Sequence, residues 1–177
     1  MRIKCLFNPP SPPSRWEPLC WKTLLAAQLP GWVPAVEDVL HLDLHTGLGP
    51  WAGYRLWPSS PIDSPQGRWL RARFGRRALM QSYPTRGAWG TWCSARFAHR
   101  HYRFVTVEFG TYSSFRVAAA LRAENRAHHW CQAGDPRLAR ARAQLMQAFA
   151  PCDPRWRDAI VRHGLALLDR AVGRVDT

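Results

Sequence analysis

His45 closes a short alternating run, Leu40–His45, and a glycine-rich turn, Thr46–Pro50, comes directly after it. Leu40, Leu42 and Leu44 alternate with His41, Asp43 and His45, the period of two that a strand imposes. One face is then leucine and the other is polar and ionisable. An imidazole with a carboxylate two residues earlier, at the carboxyl end of a strand, stands where ligands collect in open α/β sheets. Gly47 and Gly49 allow close backbone approach there, and Pro50 stops the strand. A second stretch repeats the device. Arg103–Phe109, RFVTVEF, is β-branched and aromatic, and Glu108 stands near its end before Gly110-Thr111. A carboxylate there is costly to bury unless it has a partner or a task. Two strands of this pattern put His45 and Glu108 on one rim. The bland alternative for Glu108 is a salt-bridged rim residue.

The elements that must position these groups are unevenly marked. Pro9, Pro10, Pro12, Pro13 and Pro18 exclude regular structure up to about Leu19, and Trp21–Leu29 has room for two helical turns before Pro30. Residues 1–31 therefore read as a proline-rich segment, disordered or unrelated to the rest of the chain, and 32–173 as the folded domain. Trp51–Gly67, rich in proline, serine and tryptophan, reads as a long loop. Arg68–Arg77 reads as a short basic helix, Ala78–Tyr83 as a second strand, and Gly87–Ala98 as a helix with Trp89, Trp92, Cys93 and Phe97 on one face. The last third is helical. Ser113 or Ser114 caps a helix reaching about Trp130, and Asp135-Pro136 and Asp153-Pro154 open two more, with cap and first-turn proline in their preferred places.

Composition narrows the classes. The 177 residues suit one domain with a real core. The net charge is +13, almost all of it arginine, since Lys4 and Lys22 are the only lysines. Basic charge with ten tryptophans is also the footprint of a nucleic-acid binder. The arginines are scattered, however; Arg68, Arg71, Arg73, Arg76 and Arg77 form the densest group. Any nucleic-acid affinity is expected to be nonspecific and salt-sensitive. Five cysteines with no C-x-x-C argue against a disulfide framework or a cysteine-based zinc module. No secretory leader is legible, and no stretch approaches the ~20 apolar residues of a membrane span. The expectation is a soluble, cytoplasmic protein without membrane partners; the oligomeric state is not legible.

Four blocks then point to a family. DLHTGLGP at Asp43–Pro50, VEFGT at Val107–Thr111, LRAEN at Leu121–Asn125 and FAPCDPRWR at Phe149–Arg157 resemble, in order and approximate spacing, a bacterial domain-of-unknown-function family similar to the zinc carboxypeptidases. The resemblance covers about residues 32–172. It implies an α/β fold with a mixed, largely parallel sheet flanked by helices, and a hydrolase acting on a peptide-like or acylated amino-acid amide.

In zinc carboxypeptidases an H-x-x-E pair and a later strand-closing histidine hold the metal, and a downstream glutamate is the general base. By that resemblance His45 matches the third zinc ligand and Glu108 the base, with Asp43 and Thr46 orienting the ligand, a support that metal-bound histidines ordinarily have. Tyr83 and Arg86 correspond loosely to a mobile substrate loop, and His41 is a lesser ligand candidate. No H-x-x-E occurs in this sequence, and the arginine-bearing substrate site has no counterpart. The resemblance therefore implies the C-terminal half of such a domain, truncated or degenerate. Zinc is expected for the intact family but not held by this chain alone. The competing reading is a non-catalytic basic protein that binds nucleic acid or another polyanion through arginine and tryptophan.

Overall fold

In the computed structural model the described residues are 23–24, 26–29, 31, 38–81, 89–99 and 101–173. The chain divides into two units, Met1–Glu37 and Asp38–Thr177. The described residues of the first are helical. The second unit carries the sheet and with it the strand ends that bear His45 and Glu108.

Three strands form this sheet among the described residues. β1 is Asp38–Gly47, β2 is Tyr54–Pro58 and β3 is His101–Gly110, in the order β1-β3-β2. β3 runs parallel to β1 and antiparallel to β2. Val105, Val107 and Phe109 alternate on one face of β3 and are buried together with Leu56 of β2. Helix α1, Pro65–Phe74, covers that face with Leu70 and Phe74. Helix α5, Pro154–Val172, adds Leu167 to the same core. Each of these aliphatic and aromatic side chains contributes about 1.5–3 kcal/mol by leaving water. Leu40 and Leu42 of β1 pack against the core, whereas Leu44, nearer the strand's end, is exposed.

The opposite face of β3 carries Phe104, and helix α2, Trp89–Arg96, lies against it. The helix comes so close at Gly90 that a Cβ there would stand 2.1 Å from the Phe104 ring. Helices α3, Ser114–Trp130, and α4, Pro136–Phe149, pack on each other.

The helix starts obey their capping residues. Ser113, Asp135 and Asp153 each accept a hydrogen bond from a first-turn N–H, and Pro136 and Pro154 occupy the first turn of their helices. Ser64 does the same for α1. Its Oγ accepts from Gly67 N–H at 3.0 Å and donates to the Pro61 carbonyl at 2.6 Å. Replacing Ser64 with alanine should cost about 1 kcal/mol, read as a lower urea midpoint at unchanged slope. An unmoved midpoint would show that the cap carries no stability.

The fold class differs from the expected one. Among the described residues the unit is mostly helical, with a small mixed sheet in which one strand pair is parallel and one antiparallel. The expected strand at Ala78–Tyr83 is instead a 3-10 turn, Arg76–Ala78, then a single bridge from Leu79 to Leu56. Part of that stretch lies outside the described residues. The real second strand is β2, inside the expected loop. Five residues ending in proline carry too little periodicity to be read alone, and β2 exists because β3 offers it a partner.

Candidate functional site

β1 and β3 are parallel and paired without offset, so matching positions stand side by side with their carboxyl ends together. His45 is opposite Glu108, Asp43 opposite Thr106 and His41 opposite Phe104. Thr46 is opposite Phe109 and alternates to the other face, away from His45. Tyr83 and Arg86 lie outside the described residues.

The two turns beyond the strands interlock. Gly47 has φ +139°, a conformation strained for other residues, and Phe149 fills the space beside it. The buried Thr111 donates its hydroxyl to the Gly47 carbonyl at 3.2 Å. Gly110 donates its N–H to Gly53 O at 2.9 Å, and its carbonyl accepts from Ala52 N–H at 3.1 Å and from Trp156 Nε1 at 2.8 Å. The rim that bears His45 and Glu108 is thereby fixed from both strands and from the start of α5.

Over this rim opens a cavity of about 390 Å3. Asp43, His45 and Glu108 line it from the strands, and Trp57, Trp89 and Phe104 form its aromatic wall. His45 Nε2 is 2.9 Å from Asp43 Oδ2, so the carboxylate orients the half-exposed imidazole. Glu108 is more enclosed. Burial pushes its pKa up, and the Asp43 carboxylate adds to the rise; the His45 charge and a backbone hydrogen bond from Leu48 oppose it. Its Oε2 is buried without a hydrogen-bond partner among the described residues.

His41 sits one pleat deeper and supports the wall. Its Nδ1 lies 2.9 Å from the Tyr102 hydroxyl, and its ring meets Trp89 edge-on at 5.2 Å and Phe104 at 4.9 Å. Burial lowers its pKa and so favours the neutral ring, while the nearby Asp43 carboxylate pulls the other way. The aromatic wall is the part of the site that the sequence does not announce. Trp89 shows there only as one residue of an apolar helix stripe, and Trp57 is hidden in a strand too short to read.

A carboxypeptidase-type zinc ion needs three protein ligands converging on an open fourth position. Among the described residues, no group of three histidine, cysteine, aspartate or glutamate side chains is placed to hold a metal ion. The described donor set therefore does not fit zinc. What it forms is an imidazole–carboxylate pair beside a second carboxyl group whose pKa burial raises, in an aromatic pocket.

A family model described as protein of unknown function (DUF2817) matches residues 14–163, and the chain belongs to that family. The match covers nearly the whole chain, which overturns the expectation of a C-terminal half confined to about residues 32–172. No curated protein and no solved structure matched the chain. Among the described residues, no helix is long and apolar enough to cross a membrane.

Proposed function

We propose that this is a carboxypeptidase-like hydrolase domain that receives a peptide-like or acylated amino-acid amide at the β1–β3 rim, and that this chain alone does not turn it over. The observation that supports the reading is the pairing of His45 with Glu108 at the ends of adjacent parallel strands, over one cavity. Amide cleavage requires a group that takes a proton from water and returns one to the leaving nitrogen, and it works best with a pKa near the operating pH. The raised pKa of Glu108 and the Asp43–His45 pair on the neighbouring strand support assigning it that role. Tight zinc sites gain about 10–16 kcal/mol from a complete ligand set, and one rim imidazole does not supply that.

Metal content after dialysis, with assay on blocked and free C-terminal peptides in the presence and absence of added zinc, tests the reading. The expected result is substoichiometric zinc and no turnover, with peptide-amide binding weakened by His45→Ala. Near-stoichiometric zinc, with turnover abolished by Glu108→Gln, would overturn the inactive assignment.

A second reading, a polyanion-binding basic protein, has its own support. A groove of about 570 Å3 between α3 and α4 is lined by Arg126, Arg137 and Arg140 beside Trp130, which is 83% exposed. Single-stranded DNA affinity that falls steeply with salt and is lost in Trp130→Ala would favour it over the first.

A further inference from the structure

The chain carries 25 lysines and arginines against 12 acidic residues, yet the described lining of the rim cavity reverses that balance. Among its described lining residues Asp43, Glu108 and His45 are the ionisable groups, with no lysine or arginine; Arg55, opposite Glu108 in the β2–β3 pairing, is not among them. Trp57, Trp89 and Phe104 supply aromatic surface to the same space. The faces of such rings attract cations, most strongly when the carboxylates beside them are shielded from water. The wall is also held in place. His41 meets both Trp89 and Phe104, and Tyr102 holds His41 through its Nδ1. The Glu108 Oε2 atom, buried without a hydrogen-bond partner among the described residues, leaves a carboxyl oxygen open to an entering cation.

We propose that the rim cavity binds an alkylammonium group, so that the amide ligand carries a positive charge rather than a free carboxylate at this position. The inference rests on the rim cavity being the ligand site, as in the proposed function. It sets the substrate class apart from that of an enzyme gripping a C-terminal carboxylate. A carboxylate entering here meets Asp43 and Glu108 and, among the described lining residues, no guanidinium to offset them. An ammonium group meets two carboxyl groups and three aromatic rings.

The test is a calorimetric titration of the full chain with three ligands of one shape and different charge: choline, its neutral carbon isostere neohexyl alcohol, and the tert-butylacetate anion. Choline should bind about ten-fold more tightly than the alcohol, and the anion should bind least. Trp89→Leu should lose about ten-fold of the choline affinity, and Trp89→Phe should restore most of it. Asp43→Asn should narrow the gap between choline and the alcohol, with circular dichroism confirming that each variant is folded. Equal binding of choline and the alcohol, tighter binding of the anion, or no choline binding by the folded chain would overturn the proposal. Turnover does not enter this measurement. Choline binding without hydrolysis would leave the cation site standing, whereas zinc-dependent hydrolysis with no preference for choline would remove the cation site and leave a hydrolase.

Discussion

Replacing Gly110 with alanine should destabilise the fold by about 3 kcal/mol, at the upper end of what overpacking ordinarily costs. The added Cβ would stand 2.0 Å from the Pro50 carbonyl oxygen and 2.5 Å from the carbonyl carbons of Gly49 and Pro50. These are backbone atoms, so no side chain can swing aside. The turn from Leu48 to Gly53 must lift, and the Gly110–Gly53 and Ala52–Gly110 hydrogen bonds move with it. Gly164→Ala is the natural contrast. It lies within α5 with nothing within 4 Å of the added carbon, and should stabilise by roughly 0.5–1 kcal/mol. Urea unfolding of the two variants should therefore shift in opposite directions. Equal midpoints would mean that the turn does not rest on Gly110.

Glu108→Gln should stabilise the protein at neutral pH and leave it unchanged in acid. Burial, the first cause, raises the Glu108 pKa above its ordinary value of 4.5. The folded state then holds this proton more tightly than the unfolded state does. The contribution of Glu108 is fully present below the ordinary value and is lost as pH rises through the folded one. Glutamine has no proton to lose, so the melting-temperature gap between variant and parent should open across that window and level off above it. A gap that stays constant with pH would show that Glu108 is not held in a costly charged state. Such a gain would fit the catalytic role proposed for Glu108.

The legible parts of the fold are those punctuated locally. Asp135-Pro136 and Asp153-Pro154 announce α4 and α5, because an aspartate cap and a first-turn proline act within a few residues of each other. β3 is legible from its β-branched composition. β2 is not, since Tyr54–Pro58 becomes a strand only by pairing with residues about fifty positions further along the chain. The expected sheet is broader than the real one for the same reason, because one true parallel pair implies nothing about further neighbours. In the site, His45 and Glu108 are legible as twin strand ends. Thr46 invites pairing with His45 by adjacency in sequence, although the strand's alternation sends it to the opposite face. The aromatic wall is assembled from β2, β3 and α2 and has no local signature.

The unshifted pairing of β1 with β3 also orders events as the chain folds. His45 and Glu108 are partners, yet about sixty residues separate them, and closing so long a loop carries an entropic cost before any strand contact offsets it. α3 and α4, joined by a short connection, meet without such a closure. During synthesis β1 leaves the ribosome well before β3, its neighbour in the sheet among the described residues, exists, and its polar face waits without a cavity to line. The cavity therefore takes shape only once β3 pairs with β1, and a chain interrupted before His101 lacks the strand that brings Phe104 and Glu108 to it.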